Sequence, residues 1–153
     1  MVGPAFNEGT VIKRTIESLI ESDYPNFEII RVGDGSTDDT FEIAHEAFGE
    51  DPRVSLFKKE NGGKASALNF GIEAAGSEII VAVDADTVFR PDTLAMLARN
   101  FETPAVGAVS GNTLIGNRHR LITQLQSLEY TIGFNLDRRM GDLFDCITLV
   151  PVP

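Results

Sequence analysis

Asp84 and Asp86 flank Ala85 directly after the apolar run Ile79-Ile80-Val81-Ala82-Val83, whose composition is that of a buried strand. In extended backbone, side chains two positions apart leave on the same side, so both carboxylates are expected to face one way. Two hard oxygen donors that leave coordination positions open suit Mg2+ or Mn2+ bound jointly with a diphosphate. A cation held there neutralises charge on a departing phosphate as a bond to it breaks. The plainer use for the pair is loop capping.

Two further segments have the residue types of an anion or nucleoside site. Gly33-Asp34-Gly35-Ser36-Thr37-Asp38 follows the strand-like run Phe27–Val32. Its glycines permit a tight turn and close backbone approach, and Asp34 is an acceptor suited to a base N–H or a ribose hydroxyl. It lacks the alternating acids of a calcium loop, and helix capping is its plain alternative, most of all for Asp38. Asn61-Gly62-Gly63-Lys64-Ala65-Ser66 pairs two glycines with a lysine at the start of a helical pattern, an arrangement suited to an anionic ligand. It is not a standard phosphate loop, because Lys58 stands where such a loop needs a glycine.

The elements that must position these residues alternate between two periods. Strand-like runs cover Phe27–Val32, Val54–Phe57, Glu78–Val83 and Ala105–Ser110. Apolar residues at three- and four-residue spacing predict helices over Gly9–Ser22, Asp38–Phe48, Lys64–Ala75 and Pro91–Phe101. This alternation implies right-handed βαβ units and an α/β fold with a mainly parallel sheet. Ligands of such sheets bind at the carboxyl ends of the strands, where Asn7, Glu8, Asp34, Asn61–Lys64, Asp84 and Asp86 all fall. Ser36–Asp39 supplies capping side chains for the second helix, Gly76-Ser77 a stop for the third, and Pro91 a first turn for the fourth. The short first strand at Met1–Ala5 and a strand-like Cys146–Val150 close to Pro153 suggest a truncated domain whose C-terminal part is incomplete.

Composition narrows the partners. The 153 residues are 42% hydrophobic, enough for one domain with a real core. A net charge of −10 argues against nucleic acid or an anionic membrane surface. No apolar run reaches the roughly 18–20 residues of a membrane span, and the N-terminus has no signal-peptide pattern. Cys146, the single cysteine, excludes an internal disulfide and a cysteine-built zinc site, and it suits a reduced residue in a cytoplasmic setting. His45 and His119 read as exposed helix or loop residues rather than catalytic ones.

Taken together, these segments resemble the family-2 glycosyltransferases, in particular the processive synthases of β-linked polysaccharides of the chitin, hyaluronan and poly-N-acetylglucosamine type. Pro4-Ala5-Phe6-Asn7-Glu8 is similar to the family's first loop, and Asp34-Gly35-Ser36-Thr37-Asp38 to its Asp-Gly-Ser-Thr-Asp turn. Asn61-Gly62-Gly63-Lys64 with Ala67-Leu68-Asn69 resembles a synthase segment, and Asp84-Ala85-Asp86 the metal-binding Asp-x-Asp. Gly116-Asn117-Arg118 and the Gln126–Tyr130 stretch also resemble the processive branch. The resemblance implies a Rossmann-like GT-A fold over 1–153, with residues 1–100 as the nucleotide-sugar-binding half and 101–153 as the start of the acceptor half.

It further implies a UDP-sugar donor, UDP-N-acetylglucosamine foremost, with Asp34 and the loop near Ala5 and Glu8 at the uridine. Lys64 would lie near the base or diphosphate, Asp84 near the ribose or diphosphate, and Asp86 on Mg2+ or Mn2+. The acceptor would be a growing polysaccharide, at the cytoplasmic face of a membrane in which the parent protein is embedded. Two departures stand out. Relatives often carry a second acid where Gly33 stands, and the acceptor-side motif with the general base is expected beyond Pro153. An inverting transfer needs that base, so the chain alone is expected to be inactive. A sugar-nucleotidyltransferase would instead show a glycine-rich basic loop where Pro4–Glu8 stands. A non-catalytic nucleotide-binding or partner-docking remnant is the reading without chemistry.

Overall fold

The computed structural model describes residues 1–103 and 105–111. The expected elements at Gly116–Arg118, Gln126–Tyr130 and Cys146–Val150, together with His119, lie outside the described residues. Backbone proximity groups the described chain into two units, Met1–Arg99 and one that begins at Asn100.

The first unit is an α/β layer built on three parallel strands, β1 (Val2–Ala5), β2 (Ile29–Asp34) and β3 (Val54–Lys59), in the order β1-β2-β3. Val2 registers with Ile30, and Ile29 with Val54. The helices α1 (Ile12–Ile20), α2 (Thr40–Phe48), α3 (Lys64–Ala74) and α4 (Thr93–Ala98) connect and flank the strands. A 3-10 turn, Arg99–Glu102, follows α4.

Strand alternation divides the core. Ile30 and Val32 pack with Val2 and Ala67 on the α3 side. Ile29 packs with Ile12, Ile16 and Leu19 of α1 on the other. Those three α1 residues recur at helical spacing and are at most 1% exposed. Each such burial contributes about 1.5–3 kcal/mol. Helix α3 lies close on the sheet because Gly71 faces it: a Cβ there would overlap Val2 and come within 3.3 Å of Val32.

The structure revises several sequence expectations. Glu78–Val83 forms no strand but a single parallel bridge, Val2 with Ala82, held by Val2 N–H to the Val81 carbonyl (2.8 Å) and Val83 N–H to the Val2 carbonyl (2.9 Å). Ile79 is 41% exposed, so apolarity alone did not bring a second ladder to this segment. Ala105–Ser110 is likewise not a strand: its residues are half-buried or exposed, in a turn or irregular backbone. Helix α1 starts three residues later than expected, because the Glu8 carbonyl accepts from Val11 and Ile12 and leaves Gly9–Val11 as a turn. Pro91 stands outside α4, its carbonyl taken by the Asp23 N–H at 3.0 Å. Among the described residues, no helix is long and apolar enough to cross a membrane.

Candidate functional site

Two loops at the carboxyl end of the sheet are joined side by side. Asn7 adopts a left-handed φ of 55°, which aims its side-chain oxygen at the Thr37 N–H, 2.9 Å away. Ser36 Oγ accepts from the Asn7 N–H at 3.2 Å and donates to the Ala5 carbonyl at 3.3 Å. Asp38 accepts from the N–H groups of Thr40 and Gly9 and from the Thr40 hydroxyl. It therefore caps α2 as expected and also ties that turn to the first loop. Glu8 N–H donates to the Thr40 hydroxyl at 2.8 Å, which fixes the backbone of Glu8 at the head of α1.

A third loop is latched by Asp34. Its carboxylate, 3% exposed, accepts from Lys59 Nζ (2.7 Å), the Gly62 N–H (3.0 Å) and the Gly63 N–H (2.8 Å). The Lys59 hydrogen bond, with the two backbone donors behind it, holds this carboxyl below the usual range. Gly35 is required here: its φ is 72°, and a Cβ would stand 2.8 Å from the Asn61 amide nitrogen. Asn61–Lys64 is thereby carried against the end of β2 and delivers Lys64 to the opposite wall.

That wall is the segment after the bridge. Val83 and Ala85 are buried, while Asp84 is half-buried and Asp86 exposed. Thr87 N–H to the Asp84 carbonyl (3.3 Å) closes a turn, so a turn rather than strand alternation presents both carboxylates to one cleft. Lys64 Nζ lies 2.7 Å from Asp84. Among the described residues no hydrogen bond or ion pair holds Asp86. Glu8 titrates above its ordinary value, first through burial and then through Asp86, Asp38 and Asp84.

The resulting cleft measures about 440 Å³ and is lined by Glu8, Asp34, Lys64, Asp84 and Asp86, with Pro4, Phe6, Asn61 and Gly63. Of the residues expected at the donor and metal sites, Glu8, Asp34, Lys64, Asp84 and Asp86 line it; Ala5 is 4% exposed and meets the second loop through its carbonyl, and Asn7 is spent on the Thr37 N–H. His45 stacks on Phe41 along α2 and takes no part. Among the described residues no three potential metal ligands cluster, so a cation here would have one or two carboxylates as protein donors and need a ligand's oxygens as well. That donor chemistry fits Mg2+ or Mn2+, which are commonly held by one or two carboxylates plus substrate phosphates.

Three participants escape a reading of the sequence. Lys59 meets Asp34 only through the β2–β3 register, which no linear pattern reveals. Phe6 keeps its ring 47% exposed at the cleft. Arg31 is 3% exposed inside the sheet layer, and a charged residue within the apolar run Ile29–Val32 was the available signal for it.

Comparison with known proteins bears on the family and the fold. Residues 2–149 match the family described as Glycosyl transferase family 2. Poly-beta-1,6-N-acetyl-D-glucosamine synthases of Staphylococcus epidermidis and of Staphylococcus aureus (strain COL) are each 34% identical over 146 residues, 95% of this chain and 35% of theirs. The chain thus spans about a third of the length of those relatives. The mannosyltransferase PcManGT from Pyrobaculum calidifontis, solved with GDP-Man and Mn2+, superposes with a TM-score of 0.67 at 33% identity over 76% of this chain and 34% of that one. S. aureus TarS 1-349 in complex with UDP-GlcNAc gives a TM-score of 0.60 at 27% identity over 66% of this chain and 30% of that one. These neighbours are GT-A glycosyltransferases, and the parallel sheet with its flanking helices is of that fold. On this match over nearly its whole length, the chain belongs to glycosyl transferase family 2.

Proposed function

We propose that the cleft binds a UDP-sugar, UDP-N-acetylglucosamine or a close relative, together with Mg2+ or Mn2+. The whole protein would use this donor in an inverting transfer that extends a polysaccharide at the inner face of a cell membrane. The observation that carries the reading is the convergence of Glu8, Asp34, Lys64, Asp84 and Asp86 on one cleft at the strand ends. Its size lies within the range of small-ligand sites. The names of the relatives and the ligands of the structural neighbours support the choice of donor.

In this reading the first loop, near Ala5 and Glu8, and the Asp34 turn receive the uridine, and the Phe6 ring offers its face to the base. Lys64 gives up Asp84 for the diphosphate, while Asp84 turns to the ribose or diphosphate. Asp86, which no hydrogen bond or ion pair holds among the described residues, would hold the metal. A cation bound there supplies neutralisation of charge on the leaving diphosphate. Inverting transfer also needs a base to take the acceptor hydroxyl proton. The carboxylates of the cleft are assigned to the donor, so this chain by itself is expected to bind donor without transferring sugar.

Calorimetric titration of UDP, with and without Mn2+, tests the reading on the wild type and on Asp86→Ala. Binding that Mn2+ strengthens at least tenfold, about 1.4 kcal/mol, and that Asp86→Ala returns to the metal-free level is the expected result. A folded wild type that binds no UDP in Mn2+ would overturn it.

A further inference from the structure

Arg31 lies in β2 on the same sheet face as Ile29, buried at 3% exposure, yet it faces no carboxylate at hydrogen-bonding distance among the described residues. Its Nη1 donates to the Val83 carbonyl at 3.3 Å, while Nε and Nη2 are buried without an acceptor among the described residues. Room for the guanidinium comes from Gly3, its register partner on β1: a Cβ at that position would overlap both Nη1 and the Val83 carbonyl. The side chain therefore crosses beneath β1 and reaches the segment on the sheet's far side. That segment has a single bridge to β1, with a further tie from the Thr15 hydroxyl to the Ala85 carbonyl at 2.7 Å. Burial lowers Arg31 to about 10, which leaves it protonated at neutral pH, and Asp84 is the acid whose charge acts on it in the opposite direction.

We infer that Arg31 is a positioning residue for the Asp84–Asp86 turn, tying Val83 from inside the core and placing a fixed positive charge behind the turn. A segment with one bridge has little ladder to fix its direction, and buried donors left without acceptors require a reason. Holding the turn to the sheet is that reason, since Gly3 is the position that admits the guanidinium and Val83 the residue that receives it. Its consequence for donor binding rests on the reading of Asp84 and Asp86 given above.

Amide hydrogen exchange on the wild type, Arg31→Met and Arg31→Lys tests this without any ligand. In Arg31→Met, the amides of Val83 and Thr87 are expected to exchange at least about tenfold faster, relative to those of Ile43 and Ala67. Arg31→Lys, which keeps the charge, should fall between. Equal acceleration at all four amides, or none, overturns the inference, because an arginine that merely stabilises the fold moves every core amide alike. If Arg31→Met does not fold, the same comparison on Arg31→Lys decides. UDP titration of the folded variant should then show weaker binding in Mn2+ than the wild type. A wild type without metal-dependent UDP binding would refute the donor site, while the exchange profile still decides the role of Arg31.

Discussion

Asp34 gathers three donors on one buried carboxylate, and two of them are the backbone of the loop that carries Lys64. A hydrogen bond to a charged group contributes about 1.5–3 kcal/mol. Asp34→Asn, which loses the ion pair with Lys59, should therefore lower stability at neutral pH by about 2 kcal/mol in urea melts. The pH dependence has a definite sign. The carboxyl of Asp34 is held below its unfolded value of 3.8, so its contribution is complete above that pH and disappears as pH falls through the lower, folded value. Melts from pH 6 to 3 should show the wild type losing its advantage over Asp34→Asn below about pH 4. A constant gap between the two across that range would mean that the ionised carboxylate is not what latches the loop.

At the scale of elements, the site depends on how closely α3 approaches the sheet. Gly71 sits in that helix, where alanine is ordinarily favoured by about 1 kcal/mol. An added Cβ would overlap Val2 and crowd Val32. Overpacking of a tight core costs about 1–3 kcal/mol, so the steric effect outweighs the propensity. Gly71→Ala should lower the melting temperature despite its better helix former, and Gly71→Val should lower it further. A rise in melting temperature for Gly71→Ala would show that α3 can move off the sheet at little cost. The bridge segment before Asp84 shows the opposite regime: few ladder bonds, with position set by side chains reaching across from β2 and α1.

At the scale of the whole molecule, a net charge of −10 surrounds a cleft that would take an anionic ligand. Glu8, Asp84 and Asp86 make the cleft itself acidic, and Lys64 is the cation that lines it. This balance is why a divalent cation is expected to decide affinity for a diphosphate, more than the protein's own cations. The same charge is expected to oppose association at neutral pH. Because the sequence isoelectric point is about 4.5, the solubility minimum should fall near that pH, read as turbidity across a pH 3–8 series. Clear solutions at pH 4.5 with precipitation near neutrality would show that apolar surface, such as Phe70, Ile72 and Ile79, governs association instead.

Whereas the strand expected before Asp84 and Asp86 is a single bridge followed by a turn, the alternation of strand and helix, the parallel sheet and the loop positions of Glu8, Asp34 and Lys64 beyond the strands were legible in the linear sequence. Each follows from local period and from polar residues that close apolar runs. The family segments were legible for the same reason, being contiguous stretches of chain. What only the tertiary structure decided are relations between residues far apart in sequence. Asp34 meets Lys59 through strand register and latches the third loop by the Gly62 and Gly63 N–H groups, and Arg31 reaches Val83 only because Gly3 lies between them. Glu78–Val83 and Ala105–Ser110 show the converse, since an apolar run becomes a strand only where a neighbouring strand completes its hydrogen bonds. Period is a property of the chain, whereas register, ladder partners and the space beside a glycine exist only once the layers have packed.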